Sequence, residues 1–390
     1  MSDGHSENLK TIGLFNDSFP PIMDGVSLTV QNYAYWLRKK DQPVCVITPK
    51  CPNYSDNESY PVFRFNSIPV IGRKPYRLGL PALDLSFKNL LNQISFGLVH
   101  AHSPFVSGNI ALNIAKKQHV PLVATFHTKF REDFEHTVHN KYIANLMTKE
   151  VIRFYEKADE VWISQPSIEE ILREYGFKGK VEVVPLGIDL MSDQPVELIK
   201  KQARKDLQIK ENETILLFVG QLTWEKNTRI IVESLALIKD LPFKMFFIGT
   251  GYAAENLKQM VSLSGLTEKV EFLGVITERA QIKQYYAASD LFLFPSTYDT
   301  WALVVHEAAA LGTPSVMIEE SNVAKLITDN ENGFLTANSS EMLASRLREL
   351  ISEPGLIKKV GFNAERDLTR SWDSVTEEVL DRYQKLMKRK

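Results

Sequence analysis

Two carboxylates, Asp299 and Glu307, lie eight residues apart in a segment that follows the strand-like run 290–294. The segment continues as an apolar helical pattern that stops at a glycine and a proline, residues that terminate helices. We therefore expect Asp299 in a loop and Glu307 within the helix. The helix start, at Ala302 and Leu303, offers unpaired N–H groups and the positive end of a dipole, which bind anions. Two acidic hydrogen-bond acceptors beside such a helix start suit a ligand that is partly hydroxyl-rich and partly phosphate, as a nucleotide-sugar is.

A glycine loop and two histidines follow strand-like runs in the first half of the chain. Asp24, Gly25 and Val26 lie between the first strand and a helix, so the backbone at Gly25 could approach a ligand closely and present amides to an anion. An ordinary turn is the alternative interpretation. His102 and His127 each follow a strand, where a structural histidine is the usual alternative to a functional one. The histidine two residues before His102 could share a zinc ion with it, but no third ligand has a suitable spacing, so no metal site is predicted.

Polar residues also follow the first two strands of the second half. Gln221 and Lys226 come after the first of these strands, and Gly249 and Gly251 come after the next. Lys226 could neutralise the negative charge of a diphosphate, whereas Gln221 can donate a hydrogen bond but carries no charge. The short Gly-x-Gly sequence is weak evidence by itself.

The elements that would carry these residues are short apolar strands that alternate with helical patterns along the chain. The strands are apolar throughout rather than at every second position, which favours parallel sheets covered by helices on both faces. Ligands of such sheets bind beside the carboxyl ends of the strands, where all of the residues above are expected. A chain of 390 residues is too long for one core, so two doubly wound α/β domains are predicted. Their ranges are 1–190 and 191–370, with a linker at 185–195 and an amphipathic final helix at about 371–390.

The composition is that of a soluble globular protein, with 44% hydrophobic and 24% charged residues and a net charge of −2. This charge gives no indication of nucleic-acid binding. The range 38–131 is basic, with thirteen Lys and Arg against four Asp and Glu, which suits either an anionic membrane face or a solvated surface. No apolar run is long enough to span a bilayer, and the N-terminus lacks the apolar core of a signal peptide. Cys45 and Cys51 do not suggest a disulfide framework, so a reducing, cytoplasmic location is expected.

Taken in order, the motifs resemble those of the retaining glycosyltransferases of family four, which have the GT-B architecture of two Rossmann-like domains facing each other across a cleft. The acidic signature of that family is usually Glu-Gly-Phe-Gly…Glu, and this chain has Asp299-Thr300-Trp301-Ala302…Glu307. The first-domain loop of the family is usually Gly-Gly-Val or Asn-Gly-Val, where this chain has Asp-Gly-Val. The resemblance covers nearly the whole chain, and it implies that the final helix returns to the first domain.

The resemblance also implies roles for the residues that match the family's motifs. His127 looks like the active-site histidine that lies beside the donor sugar, and His102 is expected to support the acceptor. The family clamps the donor diphosphate with an Arg and a Lys five residues apart; Lys226 matches the Lys, but Gln221 replaces the Arg. Catalytic roles are thus implied for His127, Lys226 and Asp299, with Asp299 holding sugar hydroxyls. The implied donor-binding residues are Asp24, Gly25, Val26, Gln221, Lys226, Gly249, Gly251 at the base, Asp299, Thr300, Trp301, Ala302, Leu303 and, at the ribose, Glu307.

The implied activity is transfer of a hexose from a nucleoside-diphosphate sugar to an acceptor hydroxyl with retention of configuration. UDP is the expected nucleotide and glucose the first candidate sugar, although Asp299 is shorter than the usual Glu and Trp301 is bulkier than the usual Phe, which leaves the sugar open. Family members need no protein nucleophile, because a donor phosphate oxygen takes the acceptor proton during front-face attack. No metal ion is required either, because a lysine and a helix dipole meet the charge of the diphosphate, and no cofactor is expected. The pattern at 99–135 looks most like bacterial enzymes that glucosylate diacylglycerol or similar lipids, so a membrane lipid or cell-envelope glycan is the expected acceptor.

The sequence also offers a basic group that could contact a membrane, and it leaves two alternative functions open. Arg73, Lys74 and Arg77 lie among apolar residues and are the candidates for touching an anionic membrane, on whose inner face the protein would bind peripherally. One alternative is a nucleotide-sugar epimerase of the same architecture. The other is a nucleotide-sugar-binding homologue without catalysis, which Gln221 and the altered acidic motif would suit. The acidic pair and Lys226 favour the transferase.

Overall fold

The computed structural model describes residues 10–70, 75–191, 194–210, 212–299 and 302–390, except for the side chain of His136. The chain divides into two compact units. The first comprises Met1–Gly187 and Trp372–Lys390, and the second comprises Ile188–Ser371. The division falls within the linker that the sequence indicates, and the final helix belongs to the first unit. The resemblance implies acceptor binding for the first domain and nucleotide-sugar binding for the second, and both roles stay predictions.

A parallel sheet forms the centre of the first unit. The strands of this unit are β1 Thr11–Phe15, β2 Val44–Pro49, β3 Val62–Phe65, β4 Ser67–Pro69, β5 Arg77–Gly79, β6 Phe96–Ala101, β7 Leu122–Phe126, β8 Glu160–Ile163 and β9 Val181–Val183. Seven of them form the sheet in the order β3-β2-β1-β6-β7-β8-β9, and β4 pairs with β5 in a separate antiparallel hairpin. Every residue of β2, β6 and β7 is buried, which explains why these strands are apolar on both faces.

Helices connect these strands and pack against the sheet. Those of the first unit before the linker are α1 Gly25–Lys39, α2 Leu85–Gln93, α3 Val106–Gln118, α4 Phe130–Val138, α5 Lys141–Tyr155 and α6 Ser167–Glu174. The buried side chains of α2 to α6 join those of the strands in one continuous apolar core, whereas α1 packs against β2 and the final helix of the chain.

The second unit repeats the arrangement with six parallel strands. They are β10 Thr214–Val219, β11 Phe243–Ile248, β12 Val270–Gly274, β13 Leu291–Phe294, β14 Ser315–Ile318 and β15 Phe334–Thr336. Their order in the sheet is β12-β11-β10-β13-β14-β15. Alternate residues of β10 enter two separate apolar layers, with Leu216 in one and Leu217 in the other, so both faces of the sheet are covered.

The helices of the second unit supply these two layers. They are α7 Val196–Asp206, α8 Thr228–Leu237, α9 Ala254–Leu263, α10 Arg279–Ala288, α11 Leu303–Ala309, α12 Ser340–Ser352 and α13 Pro354–Leu368. The final helix of the chain, α14 Trp372–Arg389, packs against α1 and β6 of the first unit.

Both sheets reverse their strand order beside the first strand of the unit. β1 lies between β2 and β6, and β10 lies between β11 and β13. Connections from neighbouring strands at such a point leave in opposite directions, which opens a crevice at the carboxyl ends of the strands. The segments that follow β1, β6 and β7, and those that follow β10, β11 and β13, carry most of the residues singled out from the sequence.

Two helices and one hairpin depart from the sequence pattern. The apolar periodicity predicts a helix over 28–40, but α1 begins three residues earlier, at Gly25, because Asp24 caps it: the carboxylate accepts a hydrogen bond from the amide of Ser27 at 2.7 Å. The spacing of Asp299 and Glu307 predicts that Glu307 lies about two turns into the helix, but α11 begins only at Leu303, so Glu307 is its fifth residue, little more than one turn from its start. The hairpin β4–β5 interrupts the alternation of strand and helix, and the sequence gives no signal of it.

Three further features of the molecule concern its cysteines, the length and apolarity of its helices, and its potential metal ligands. Cys45 and Cys51 are both buried and free. No helix in the described ranges is long and apolar enough to cross a membrane. In the same ranges, no group of three or more His, Cys, Asp or Glu side chains is placed to hold a metal ion.

Candidate functional site

Lys226 and Asp299 lie together at the carboxyl ends of two neighbouring strands of the second unit. Lys226 ends a short 3-10 turn after β10, and Asp299 lies in the segment after β13. Their Nζ and Oδ1 atoms are 2.5 Å apart, and the two side chains are 19% and 17% exposed. The other oxygen, Asp299 Oδ2, is buried without a hydrogen-bond partner among the described residues. Because an unpaired buried acceptor is costly, this oxygen is suited to receive a hydrogen bond from a ligand hydroxyl.

Asn227 explains how the lysine reaches the carboxylate. This residue has a left-handed φ of 56° and ends the turn that carries Lys226. Its side-chain amide donates hydrogen bonds to the carbonyl of Pro295 at 3.2 Å and to Oδ1 of Asn338 at 2.9 Å. The segment after β10 is thereby tied to the beginning of the segment after β13, which holds the ammonium beside Asp299.

Glu307 lies at the centre of a second charged cluster. It is 2% exposed, and its two oxygens accept hydrogen bonds from Arg279 Nη2 at 2.7 Å and from Tyr286 Oη at 2.9 Å. Arg279 Nη2 also lies 2.5 Å from Asp189 Oδ1. Burial raises the pKa of Glu307, and the Arg279 guanidinium opposes that rise. The carboxylate is thus held in one orientation, and its oxygens keep the capacity to accept further hydrogen bonds from ribose hydroxyls.

The segments after β10 and β11 approach each other so closely that two glycines are required. A Cβ on Gly249 would lie 1.9 Å from the carbonyl oxygen of Gly220, and one on Gly251 would lie 2.3 Å from that of Leu222. Gly249 also has a φ of 131°, which residues with a Cβ rarely adopt. Backbone packing therefore accounts for both glycines, and their contact with a base stays a prediction. Gln221, between the two points of contact, is exposed.

His102 and His127 follow the adjacent strands β6 and β7 of the first unit and contact each other. His102 Nδ1 and His127 Nε2 are 3.1 Å apart, and the rings stack with their centroids 5.4 Å apart. Burial lowers the pKa of His127 to about 4 and holds the pKa of His102 well below its usual range. Both imidazoles are therefore neutral near pH 7, so each can donate or accept hydrogen bonds but neither supplies a positive charge.

Asp17, after β1, fixes the segment that carries His102. Its carboxylate accepts hydrogen bonds from the hydroxyl of Ser103 and, at 3.0 Å, from the amide of Ser107 in the first turn of α3. Burial raises the pKa of Asp17, and these hydrogen bonds oppose the rise. The end of β1 is thus linked to the residue that directly follows His102.

The glycine loop of the first unit forms the beginning of α1. Gly25 is exposed and Val26 half-buried, and a Cβ built on Gly25 would meet no atom within 4 Å. This open space is compatible with the close approach of a ligand. However, the carboxylate of Asp24 occupies the helix start as its cap and lowers the positive potential available to a phosphate. The donor-binding role of these three residues stays a prediction.

Models of two glycosyltransferase families match the chain. The model described as Glycosyltransferase Family 4 matches residues 23–191, and the model described as Glycosyl transferases group 1 matches residues 199–367. The chain belongs to the family 4 glycosyltransferases. The family predicted from the motifs is confirmed, and the chain is an enzyme of the hexosyltransferase type.

The glycosyltransferase is similar to curated relatives over most of its length. It is 25% identical over 351 residues to the alpha-monoglucosyldiacylglycerol synthase of Streptococcus pneumoniae. The matched residues cover 88% of this chain and 79% of the relative. It is 26% identical over 374 residues to the alpha-monoglucosyldiacylglycerol synthase of Acholeplasma laidlawii, which covers 91% of each.

Solved structures share the fold of the glycosyltransferase. Sucrose-phosphate synthase from Thermosynechococcus elongatus matches with a TM-score of 0.83 and 19% identity, over 98% of this chain and 100% of the other. HepE of Anabaena in complex with UDP and glucose matches with a TM-score of 0.76 and 20% identity, over 96% and 99% of the two chains. The predicted GT-B fold, with two Rossmann-like domains, is confirmed.

The structure of the glycosyltransferase pairs some of the predicted site residues and leaves others apart. Lys226 contacts Asp299, and His102 contacts His127, whereas Glu307 contacts residues that the motifs do not include. Ala302 precedes α11 without a side-chain cap, and Leu303 is its first residue. The predicted site residues that lie outside the described ranges are Arg73, Lys74, Thr300 and Trp301.

Arg77, the described member of the basic group, is anchored to the hairpin. Its guanidinium donates to Ser67 Oγ at 2.8 Å and to the Ser67 carbonyl at 2.9 Å, and the residue is half-buried. This guanidinium stabilises the pairing of β4 with β5. Because the guanidinium is already engaged with Ser67, the prediction that Arg77 touches lipid depends on which side chains the hairpin exposes beside it.

Several residues of the site have no motif in the sequence. Asp17, Asn227 and Arg279 lie in or at the end of the segments that follow the carboxyl ends of β1, β10 and β12 respectively. That position, together with a polar or charged side chain, is the signal that could have identified them. Tyr286 lies within α10 rather than after a strand, and it gives no such signal because tyrosines are common on buried helix faces.

Proposed function

We propose that the glycosyltransferase moves glucose from UDP-glucose to a hydroxyl of a diacylglycerol-type membrane lipid, with retention of the anomeric configuration. The proposal is carried by the pairing of Lys226 with Asp299, which places a cation beside an unpaired carboxylate oxygen. The lipid acceptor is supported by the names of two relatives, both alpha-monoglucosyldiacylglycerol synthases. The donor is supported by the complexes of HepE with UDP and glucose and with UDP-glucose.

In the proposed reaction, the bond between the anomeric carbon and the phosphate oxygen breaks, and its electron pair leaves with UDP. The acceptor oxygen forms its bond to the same face of the sugar, and its proton passes to the departing phosphate oxygen. Negative charge grows on the diphosphate during this step, so a fixed cation lowers the barrier. Lys226 supplies that cation, and Asp299 orients the sugar by accepting hydrogen bonds from its hydroxyls. No metal ion or cofactor is part of this proposal.

Lys226 carries a larger share of diphosphate binding here than a family member with both cations would require. Gln221 can donate a hydrogen bond but cannot neutralise charge. Arg279 does not replace the absent arginine, because its guanidinium already contacts the carboxylates of Glu307 and Asp189. The proposed role of Arg279 is to hold Glu307 in place for the ribose.

We propose that the hairpin β4–β5 contacts an anionic membrane, on whose cytoplasmic face the enzyme would act. Ile68 and Leu78 lie opposite each other in the hairpin, and each is 48% exposed. Tyr76, next to Arg77, is 37% exposed. Apolar side chains exposed around a basic residue suit the interface of an anionic bilayer.

Replacing both apolar residues, in the variant Ile68→Ser with Leu78→Ser, should weaken binding to vesicles of anionic lipid about 30-fold, because each side chain contributes about 1 kcal/mol when it enters the interface. Sedimentation with vesicles at fixed salt measures the effect. Leu263→Ser is the matched control, since Leu263 is 81% exposed but lies in the second unit. Unchanged vesicle binding by the double variant would remove the hairpin from the membrane contact.

The deciding experiment for the proposed function is release of UDP from UDP-glucose with and without diacylglycerol in anionic vesicles. We expect release that depends on the diacylglycerol and that matches the formation of glucosylated lipid with an α linkage. Conversion of UDP-glucose into another sugar nucleotide would instead identify an epimerase. Binding of UDP-glucose without turnover, with every lipid and glycan acceptor offered, would identify a non-catalytic homologue.

A further inference from the structure

Three histidines at the carboxyl ends of β6 and β7 form a continuous stack in the first unit. The ring centroids of His100 and His102 are 4.0 Å apart, and those of His102 and His127 are 5.4 Å apart. The family resemblance implies a place beside the reacting sugar for His127 alone among the three. The other two lie behind it and restrict how its ring can turn and where its proton can lie.

His100 is fixed from two sides. Its Nδ1 lies 2.5 Å from the hydroxyl of Tyr383 on α14, and its Nε2 lies 2.7 Å from Thr125 Oγ1 on β7. The ring of Tyr383 stacks on that of Trp162, with the centroids 5.4 Å apart. Because His100 is fully buried and both of its nitrogens are engaged, its ring is held in one orientation, and His102 packs against it. The final helix thereby helps to position the histidine pair.

The proton of His102 has one favourable position. Nδ1 faces His127 Nε2 at 3.1 Å, whereas Nε2 is buried with no hydrogen-bond partner in the described part of the chain. Burial keeps both imidazoles neutral, so each ring carries a single N–H group. A buried N–H group without an acceptor is rarer than a buried acceptor without a donor, which places the proton of His102 on Nδ1. His127 then accepts at Nε2 and carries its own proton on Nδ1.

We propose that His102 is a positioning residue whose Nδ1–H group fixes His127 in the Nδ1–H tautomer and holds the plane of its ring. This proposal rests on the proposed function and on the family resemblance, which implies that His127 lies beside the reacting sugar. Without the hydrogen bond, this constraint on the tautomer and on the ring plane of His127 is lost. The fraction of enzyme with a correctly placed N–H group then falls, which lowers turnover more than donor affinity.

Three substitutions at His102 separate this role from simple packing. An asparagine amide occupies the place of Nδ1 and can still donate to His127, a glutamine amide reaches instead to the place of Nε2, and leucine has no donor. We expect kcat about 100-fold lower for His102→Leu and His102→Gln, with KM for UDP-glucose little changed, and within about fivefold of wild type for His102→Asn. His119→Asn is the control, because His119 is exposed at a left-handed φ of 53°, which asparagine tolerates.

Nitrogen-15 NMR of the His127 ring shows which of its two nitrogens carries the proton, and this measurement does not depend on catalytic activity. The wild type and His102→Asn should carry the proton of His127 on Nδ1, and His102→Leu should shift it towards Nε2, the position that free neutral histidine favours. A wild-type spectrum with the proton on Nε2 would overturn the proposal, as would equal losses of kcat in the Asn and Leu variants. A wild type that transfers no sugar would refute the proposed function instead, and the spectrum would still decide the role of His102.

Discussion

Replacing Lys226 with alanine should lower the turnover of UDP-glucose by about 100-fold or more, because the lysine stabilises charge that develops on the leaving diphosphate. The loss should fall on kcat more than on KM, since the interaction strengthens as the glycosidic bond breaks. The missing second cation at Gln221 makes the enzyme more dependent on this one. Steady-state UDP release, with saturating acceptor vesicles, measures both constants.

Two further variants make the lysine experiment specific. Lys226→Arg keeps the positive charge and should recover part of the turnover, whereas Lys226→Ala also leaves the carboxylate of Asp299 without its cation. Lys358→Ala is the matched control in the same unit, because Lys358 forms an ion pair with Glu197 at 3.1 Å on the exposed surface. Turnover of Lys226→Ala equal to that of the control would show that the lysine does not stabilise the leaving group.

The pairing of Lys226 with Asp299 shows which part of the site is accessible from the sequence. Both residues follow apolar strands, and neighbouring parallel strands bring their carboxyl ends together. Their type, order and strand-end position are local properties that the sequence displays. Their contact depends on β10 and β13 being adjacent and on the tie formed by Asn227, neither of which has a local signal. The sequence therefore predicts which residues belong to the site more reliably than it predicts which of them contact each other.

Glu307 and the histidine pair show where such prediction stops. The motif singles out Glu307, but its partners Arg279 and Tyr286 lie on α10, 28 and 21 residues earlier in the chain. His102 and His127 were both singled out, yet their mutual hydrogen bond follows only from the order of β6 and β7. Buried polar contacts of this kind are formed between elements that are distant in sequence, so periodicity and spacing carry no information about them.

Replacing Arg279 with alanine should destabilise the second unit by about 3 kcal/mol, because it leaves the buried Glu307 carboxylate without its cation. The figure lies at the lower end for a broken buried ion pair, since the Arg279 side chain is 39% exposed while that of Glu307 is 3% exposed. Hydrogen exchange of the core strands β10 and β11 reports the stability of this unit separately from the other. Arg348→Ala is the control, because the partners of that ion pair, Arg348 and Asp240, are both exposed, and it should change the exchange little.

The destabilisation should also depend on pH in a direction that identifies its cause. Burial already raises the pKa of Glu307, and the loss of Arg279 removes the main opposing interaction, so the pKa rises further. Between the unfolded and the raised folded pKa, the native state holds a proton that the unfolded state has lost, and stability therefore falls as the pH rises. The stability deficit of Arg279→Ala should consequently be smaller at about pH 5 than at about pH 8. The double variant Arg279→Ala with Glu307→Gln has no carboxylate at position 307, so this pH dependence of the stability deficit should disappear. A deficit that is the same at both pH values in the single variant would mean that lost packing, rather than an unpaired carboxylate, is responsible.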